Sequence, residues 1–465
     1  MLKGIKEGKQ AFVGPQTVQI DLTGSCNNNC IGCWAHSPFI KNYPRDKDIS
    51  LPFDNVRALI DDLAFLGTQE ICLAGAGEPF LHPNILEIIK LIKDKGIRLN
   101  IITNFTFIDR KKAQRLIDLN VDLITASVWA GTAQAYVKTH PNKTEDDFYR
   151  IKENFIILSE LKDRENKHLP RIKIYNVICG ENHDNINQMI DFALDARVEF
   201  IEFQIMDTVD NETSFLALSV RQVNEIKEQF NSLSRHIDLH FKELKSFNNN
   251  KEAELDEFPG RFFKVPKGFF LKEWIENKDN GEKCAMHSLV CPRGSWNVPA
   301  DSNPLIEENR NKITFRLPEE RCNACASFMA SCPLNQKCEI SFNYLKILGF
   351  GSFMRRINSV NIYEQFYEQG LIDSISCYAG WIYSRVLSTG EVIPCCKSVN
   401  KPLGNINSDK FLIIWNSEAY QEFRYNAKNL PKSDPYFKDI NCYKSCDNIG
   451  MNLQINEHIV TRKDN

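Results

Sequence analysis

The stretch that decides the fold is Gly24-Ser25-Cys26-Asn27-Asn28-Asn29-Cys30-Ile31-Gly32-Cys33-Trp34, which carries three cysteines within eight residues. It follows the run Val18-Gln19-Ile20-Asp21-Leu22, whose alternation of apolar and polar residues predicts a β-strand. Three thiolates on a short loop after a strand can hold three irons of a 4Fe–4S cube and leave the fourth iron open. A zinc site is the alternative, but it needs a fourth ligand, and only His36 is close in sequence.

The spacing Cys26-x3-Cys30-x2-Cys33 resembles that of the radical S-adenosylmethionine (radical SAM) superfamily. The resemblance implies that the open iron chelates the methionine end of S-adenosylmethionine. One residue departs from the family pattern, because the position before the third cysteine, often aromatic in the superfamily, is Gly32. We therefore expect the backbone or Trp34 to contact the adenine instead.

The composition excludes several functional classes. With 465 residues, 43% of them hydrophobic and 25% charged, the chain is an ordinary globular protein, long enough for about two or three domains. Its net charge of −3 provides no basic field, so we expect neither nucleic acid nor a membrane as partner. Residues 1–9 lack the apolar core of a signal peptide, and no apolar run reaches the ~20 residues of a membrane span. We therefore expect a cytoplasmic protein.

The first half of the chain alternates strand-like and helix-like runs. This alternation predicts an α/β fold with parallel strands, a partial (β/α)6 barrel, and puts catalytic groups at the carboxyl ends of the strands. Apolar residues have helical spacing in 55–63 and 85–92. The predicted strands are 18–23, 70–74, 98–103, 122–128, 173–178 and 199–205.

A second candidate cofactor segment, Ala74-Gly75-Ala76-Gly77-Glu78-Pro79, stands where the second strand ends. Its two glycines allow the backbone to approach a ligand closely. The segment resembles the Gly-Gly-Glu-Pro motif of the radical SAM superfamily, with Ala76 in place of the first glycine. The resemblance implies that Ala76, Gly77 and Glu78 bind the methionine ammonium of the cofactor.

Further cofactor contacts are implied at the next strand ends. Ile102-Thr103-Asn104-Phe105 is similar to the family's Thr-Asn-Gly, with Phe105 replacing the glycine. In the family a serine at the end of the fourth strand touches ribose and methionine, and a downstream basic residue meets the carboxylate. Ser127 and Lys138 match these two positions. The fifth strand, which contains Asn176, is expected to lie near the adenine.

The cysteines are unevenly distributed, since 11 of the 16 lie from Cys284 onward. The C-terminal region resembles the SPASM/twitch extension of radical SAM enzymes through the order Cys377, Gly390-x4-Cys395, Gly404-Asn405-Ile406, Ile414-Trp415 and Cys442-x3-Cys446. The glycine turn would bring Cys377 and Cys395 together, and four thiolates can close a complete 4Fe–4S site. We therefore expect Cys377, Cys395, Cys442 and Cys446 to hold an auxiliary cluster, with a zinc knuckle as the alternative.

A second group of cysteines precedes this extension, and its Cys322-Asn323-Ala324-Cys325 part has ligand spacing. We expect a separate metal site there, which a cluster or zinc fits equally well. The group consists of Cys284, Cys291, Cys322, Cys325, Cys332 and Cys338.

Three cysteines remain outside these sets. Cys72 lies inside an apolar strand, and we expect it to be a core residue. Cys396 could substitute for its neighbour Cys395. Cys179 follows the fifth strand, where its thiol could donate a hydrogen atom to a substrate radical, although core packing is the simpler explanation.

These patterns divide the chain into five segments. They are the radical SAM barrel (1–215), a helical and loop linker (216–283), the cysteine-rich metal-binding segment (284–340), a helical connector (341–376) and the SPASM/twitch-like domain (377–452).

The resemblance implies an enzyme that cleaves S-adenosylmethionine reductively and abstracts hydrogen from a substrate C–H bond. An auxiliary cluster would favour a redox outcome, such as oxidation of a sugar or amino-alcohol by a tailoring oxidoreductase. Maturation of a ribosomal peptide is the alternative, although the cysteine triad starts too early for a preceding leader-recognition domain. A non-enzymatic electron-transfer protein is a third hypothesis. A flavodoxin or ferredoxin is the expected electron donor.

Overall fold

The structure is a computed structural model that describes most of both cysteine-bearing ends of the chain. The described residues are 1–41, 47–209, 211–233, 237–241, 255–257, 264–266, 305–309, 312–316, 338–342, 345–359, 369–440, 442 and 446–460. Five cysteines of the middle group therefore lie outside the described residues, namely Cys284, Cys291, Cys322, Cys325 and Cys332.

The predicted α/β fold with six parallel strands is confirmed. Neighbouring strands are also consecutive in the chain, and every pair from β1–β2 to β5–β6 is parallel. The strands are β1 (Thr17–Ile20), β2 (Glu70–Leu73), β3 (Arg98–Thr103), β4 (Leu123–Ser127), β5 (Arg171–Ile178) and β6 (Phe200–Ile205).

Helices cover the apolar face of these strands and form the main core with it. In α2 the buried residues Val56, Leu59, Ile60 and Leu63 follow the helical repeat that the sequence shows. The helices of this half are α1 (Leu2–Glu7), α2 (Phe53–Phe65), α3 (Ile85–Asp94), α4 (Arg110–Asp118), α5 (Ala133–Thr139), α6 (Glu145–Arg164), α7 (Ile186–Asp195) and α8 (Val220–Leu233).

Short polar side chains fix where several of these helices begin. The Thr144 hydroxyl accepts the backbone N–H of Asp147, whose carboxylate in turn accepts the N–H of Thr144, a capping box that starts α6. Asp109 caps α4 and Thr132 caps α5 in the same manner. The cap at Thr132 matters for the site, because α5 packs against the loop that carries Cys30.

The sheet continues beyond the six strands at both edges, which the sequence did not predict. Strand β13 pairs in parallel with β6, and β14 pairs in parallel with β1. The remaining strands are β7 (Ile237–Phe241), β8 (Leu255–Glu257), β9 (Lys264–Pro266), β10 (Leu305–Asn309), β11 (Lys312–Arg316), β12 (Cys338–Phe342), β13 (Leu345–Leu348), β14 (Tyr383–Val386), β15 (Glu391–Ile393) and β16 (Gly404–Asn405). The interval expected to be a helical connector thus includes β13.

The C-terminal region contributes a hairpin and several helices. Strands β14 and β15 are antiparallel around Gly390, whose φ of +84° is the left-handed conformation that glycine adopts without strain. The helices are α9 (Phe350–Ser359), α10 (Gln369–Ser374), α11 (Ala379–Ile382), α12 (Phe411–Trp415), α13 (Glu418–Asn429) and α14 (Ile449–Val460).

The N-terminal segment packs against this C-terminal region. The indoles of Trp381 and Trp415 donate hydrogen bonds to the carbonyls of Gln10 and Val13, at 2.9 and 3.0 Å. The buried guanidinium of Arg424 donates to the Trp415 carbonyl at 2.7 Å and stacks over the same indole. The two ends of the chain are thereby tied together.

Within the described part of the chain, no helix is both long and apolar enough to cross a membrane.

Candidate active site

The loop of Cys26, Cys30 and Cys33 lies at the carboxyl end of β1, where the sequence predicts it. The turn after β2 holds it there, since the Glu78 N–H donates to the Ser25 carbonyl at 2.8 Å. A Cβ on Gly77 would overlap the carbonyls of Thr23 and Ser25, so glycine is required for this close approach. The two segments that carry the predicted cofactor residues are therefore packed backbone to backbone.

The three thiols are half-buried and lie within electrostatic range of one another. Burial raises the pKa of all three, that of Cys26 to about 11, and neighbouring thiols raise the pKa of Cys30 further. Thiols with raised pKa values become thiolates only when a cation binds them. This donor set fits an iron–sulfur cluster, which supplies the required positive charge.

His36 is poorly placed to complete a zinc site. Its Nε2 lies 2.8 Å from the Gly24 carbonyl, a contact in which the nitrogen must carry the proton. Among the described residues, no three His, Cys, Asp or Glu side chains converge as ligands of a single metal ion would. A 4Fe–4S cube holds its thiolates on separate irons, so it does not require such convergence.

Glu78 is buried, and both of its carboxylate oxygens accept hydrogen bonds within the protein. One oxygen accepts the Thr103 hydroxyl at 2.7 Å and the Phe80 N–H at 3.1 Å, and the other accepts the Asn104 N–H at 2.7 Å. Burial raises the pKa of this carboxyl to about 7, and the three hydrogen bonds oppose the rise. Glu78 thus joins the turn after β2 to the end of β3.

Asp21, at the end of β1, forms an ion pair that sequence reasoning missed. The Arg385 guanidinium donates to both carboxylate oxygens, at 2.9 and 2.6 Å, and Asp21 is only 1% exposed. A Cβ on Gly75 would overlap this carboxylate, and the Ala76 N–H points at it from 3.4 Å. The cofactor segment after β2 therefore rests on a carboxylate that a C-terminal arginine neutralises.

Phe105, which replaces the family's glycine, keeps the backbone conformation of a glycine. Its φ is +64°, its side chain is fully buried, and its ring stacks on Phe155 with the ring centres 4.0 Å apart. The burial of a large ring offsets the strain of about 1–2 kcal/mol that a left-handed residue costs.

The other three side chains predicted to contact the cofactor differ in how deeply they are buried. Ser127 is half-buried at the end of β4, in register with Tyr175 of β5. Lys138 is exposed on α5. Asn176 is fully buried, and neither amide atom has a hydrogen-bond partner among the described residues.

Met206, which directly follows β6, fills the space next to Gly32. A Cβ on Gly32 would overlap the thioether of Met206. Trp34 points elsewhere, since its indole donates to the Asp207 carbonyl at 3.1 Å and Lys397 lies over its ring.

The four C-terminal cysteines come together as predicted. Cys377, Cys395 and Cys442 share a small apolar cluster with Phe423 and Phe437. Burial raises the pKa of Cys442, and Cys395, Cys377 and Cys446 add to the rise, which brings all four thiols into one group. They fit the thiolate set that an auxiliary cluster requires.

The remaining predicted cysteines are placed as follows. Cys179 is buried in an apolar cluster with Ile31, Trp129 and Met206, against which Cys30 packs. The Cys396 thiol lies 2.8 Å from an Asp447 carboxylate oxygen. Cys338 begins β12, while the rest of its group lies outside the described residues.

Comparison with known families agrees with this geometry. Residues 20–193 match the model of the radical SAM superfamily, and residues 377–447 match SPASM, an iron–sulfur cluster-binding domain. The chain carries a radical SAM domain followed by a SPASM domain. The radical SAM domain uses a 4Fe–4S cluster with S-adenosylmethionine, and the SPASM domain binds auxiliary iron–sulfur clusters.

Several curated relatives match a part of this chain. The tungsten-containing aldehyde ferredoxin oxidoreductase cofactor-modifying protein of Pyrococcus furiosus is 26% identical over 209 residues, 44% of this chain and 53% of that protein. The Fe-coproporphyrin III synthase of Methanosarcina barkeri is 32% identical over 108 residues, 23% and 26% of the two chains. The S-adenosylmethionine-dependent nucleotide dehydratase of Flammeovirga pacifica is 26% identical over 268 residues, which are 55% of this chain and 84% of that protein. The chain spans about half or less of the first two relatives.

Among solved structures, Streptococcus suis SuiB bound to S-adenosylmethionine matches with a TM-score of 0.50, covering 96% of this chain and 75% of that one. SuiB bound to its precursor peptide SuiA matches equally, with a TM-score of 0.50. At 12% and 13% identity, these likenesses show the fold alone.

Proposed function

We propose that this chain is a radical SAM oxidoreductase that tailors a polar small molecule, such as a sugar or amino-alcohol. When bound, the cluster and S-adenosylmethionine supply a 5′-deoxyadenosyl radical that abstracts hydrogen from a substrate C–H bond. The observation that carries the proposal is the polar face of the sheet, at whose carboxyl end the loop of Cys26, Cys30 and Cys33 lies.

Hydrogen bonds and ion pairs cross this face from strand to strand. Arg385 pairs with Asp21, the Tyr383 hydroxyl donates to the Gln19 amide at 2.9 Å, and Lys173 pairs with Glu202 at 2.6 Å. The opposite face of the same strands is apolar and carries the helices. A surface lined with donors and acceptors favours hydroxyl, amine or carboxylate groups over the apolar side chains of a peptide.

The chain's own residues have distinct parts in binding the cofactor. Cys26, Cys30 and Cys33 would hold the cluster. Because both oxygens of Glu78 are engaged, we assign it the task of fixing the turn, whose Ala76 and Gly77 backbone would meet the methionine ammonium. Ser127 would contact the ribose side, and Met206, which fills the space next to Gly32, would face the adenine.

The auxiliary cluster would accept the electron left when a substrate radical is oxidised. Cys377, Cys395, Cys442 and Cys446 would hold it. Support comes from the contact between Trp34, which follows Cys33, and Lys397, which stands two residues after Cys395. This contact gives electrons a short protein path between the two cysteine loops. A flavodoxin or ferredoxin would supply the first electron.

The test uses anaerobically reconstituted protein with dithionite and S-adenosylmethionine. We expect wild type to release 5′-deoxyadenosine and the variant C26A/C30A/C33A to release none and to lose the iron of one cluster. Unchanged iron in that variant would overturn the assignment of the triad. A dialysable small-molecule extract should stimulate deoxyadenosine release more than a peptide extract; the reverse result would favour a peptide substrate.

A further inference from the structure

Helix α5 is fastened to the loop that holds the cysteine triad. The Ile31 N–H donates to the Thr139 carbonyl at 3.0 Å, directly beside Cys30. Asn142, just beyond the helix, donates from its side chain to the Asn27 carbonyl at 2.9 Å and exchanges two hydrogen bonds with Asn29. The buried side of α5, which carries Tyr136, is therefore held against the buried side of the cysteine loop.

Two polar side chains are buried at this junction without partners. Asn28 is 3% exposed and Tyr136 is 1% exposed. Among the described residues, neither amide atom of Asn28 nor the Tyr136 hydroxyl has a hydrogen bond of normal geometry. A buried polar group without a hydrogen bond destabilises the fold, so the retention of these groups calls for a partner.

The electrostatics of the junction indicate which groups lie next to Asn28 and Tyr136. Burial raises the pKa of Tyr136, the Cys30 thiolate adds to the rise, and the Asn28 side chain opposes it. Burial likewise raises the pKa of Cys30, while the Asn28 side chain opposes the rise, as a donor to the thiolate does. The Tyr136 hydroxyl, the Asn28 amide and the Cys30 sulfur therefore lie close to one another at this junction.

We propose that Asn28 donates a hydrogen bond from its amide N–H to the Cys30 thiolate once the cluster is bound, and that the Tyr136 hydroxyl donates to the Asn28 carbonyl oxygen. This arrangement satisfies all three unpaired groups at once. It rests on the proposed function, since it needs the cluster on Cys30. A neutral thiol accepts hydrogen bonds weakly, whereas a thiolate on iron accepts them well.

The consequence is a control over the reduction potential of the radical cluster. Reduction adds one electron to the cluster, with no bond formed and no proton transferred, and increases the negative charge on its sulfurs. A donor to the Cys30 sulfur stabilises the reduced form and so raises the potential. Asn28 and Tyr136 are thus positioning residues that make the cluster easier to reduce.

The test is a redox titration followed by electron paramagnetic resonance, in which the signal that responds to S-adenosylmethionine reports the radical cluster. We expect N28L to shift its midpoint potential to a more negative value, and Y136F to shift it less in the same direction. The double variant N28L/Y136F should match N28L, because Tyr136 acts through Asn28. The auxiliary cluster provides an internal reference whose potential stays constant.

The matched control is N142A, which removes tethers between the same loop and α5 but takes no donor from sulfur. We expect its potential to equal that of wild type. If N28L keeps its iron and its midpoint potential equals that of wild type, the inference is wrong. If N28L loses iron, Y136F takes its place, and a midpoint potential of Y136F equal to that of wild type overturns the inference. Wild type without any signal that responds to S-adenosylmethionine would instead overturn the proposed function.

Discussion

The Lys397 ammonium lies 4.6 Å from the centre of the Trp34 ring and joins the two cysteine loops of the molecule. Lys397 also pairs with the Asp207 carboxylate, and the Trp34 indole donates to the Asp207 carbonyl. Asp207 follows β6, whereas Lys397 follows β15 at the other side of β1. The sheet must therefore curve so that the segments after β6 and β15 meet.

The first prediction concerns this contact. Trp34 is 38% exposed, so we expect a coupling of about 0.5–1 kcal/mol between W34L and K397M in a double-mutant cycle on the free energy of unfolding. Anaerobic chemical denaturation of the four proteins measures it. Strictly additive effects of the two substitutions would mean that the ammonium and the ring do not interact.

The second prediction concerns the buried pair of Asp21 and Arg385. We expect D21N to lower the free energy of unfolding by about 3–5 kcal/mol, because it leaves a buried guanidinium without its counter-charge. R385M should cost a similar amount, and the double variant should cost less than the sum. The control is K90A, which breaks an exposed pair with Asp94 and should cost about 0–1 kcal/mol. Equal effects of D21N and K90A would contradict the prediction.

The third prediction concerns Phe105, which stands in a left-handed conformation. F105G relieves strain of about 1 kcal/mol but removes a buried ring worth about 3–5 kcal/mol, so we expect a net loss of about 3 kcal/mol. Asn120 offers a matched control, since it has a φ of +51° and is exposed. N120G should leave stability within about 0.5 kcal/mol of wild type. A stabilised F105G would show that the ring contributes little.

The fourth prediction is a pH dependence at His140, which is 1% exposed and stacks on Tyr136. Burial lowers the pKa of this imidazole to about 4. Between pH 6.5 and 4 the unfolded chain binds a proton here and the folded chain does not, so stability falls as pH is lowered, by up to about 3 kcal/mol.

The substitution H140F should remove that part of the pH dependence. Thr139 keeps a partner in the variant, because its hydroxyl also donates to the Ala135 carbonyl. Denaturation midpoints of both proteins at several pH values between 4 and 7 provide the comparison. Parallel curves for wild type and H140F would exclude the buried imidazole as the cause.

The sequence predicted those features that depend on local patterns. Strand β3 has the predicted bounds, and the cysteine loop follows β1 as predicted. The pairing of β14 with β1 was beyond prediction, since Tyr383–Val386 alternates like any strand and nothing local specifies a partner so distant in sequence. The ion pair of Asp21 with Arg385 follows from that pairing and was missed with it.

The same reasoning explains which contacts within the site went unpredicted. Glu78 was expected to meet the cofactor because its segment resembles the Gly-Gly-Glu-Pro motif. Its engagement by Thr103 and Asn104 depends on β2 and β3 being neighbours, which sequence spacing does not reveal. The contacts of Trp34 with Lys397 and Asp207 likewise join residues that are far apart in the sequence.

The last prediction concerns the auxiliary site and separates a cluster from zinc. We expect C442A/C446A to lose the iron of one cluster and to retain the signal that responds to S-adenosylmethionine, because that signal belongs to the triad after β1. Cofactor cleavage should remain measurable, while product should fall more strongly, since a substrate radical would lack its oxidant. Metal analysis, spectroscopy and the ratio of product to 5′-deoxyadenosine provide the measurements.

Two controls keep this result interpretable. C396A changes the neighbour of Cys395 and should retain all of its iron, because Cys396 faces Asp447 and not the group of four thiols. A closed metal site contributes to the stability of its domain, so thermal unfolding of the barrel must be followed in parallel. If C442A/C446A loses zinc, retains all of its iron and still forms product at the wild-type ratio, the four cysteines are structural zinc ligands.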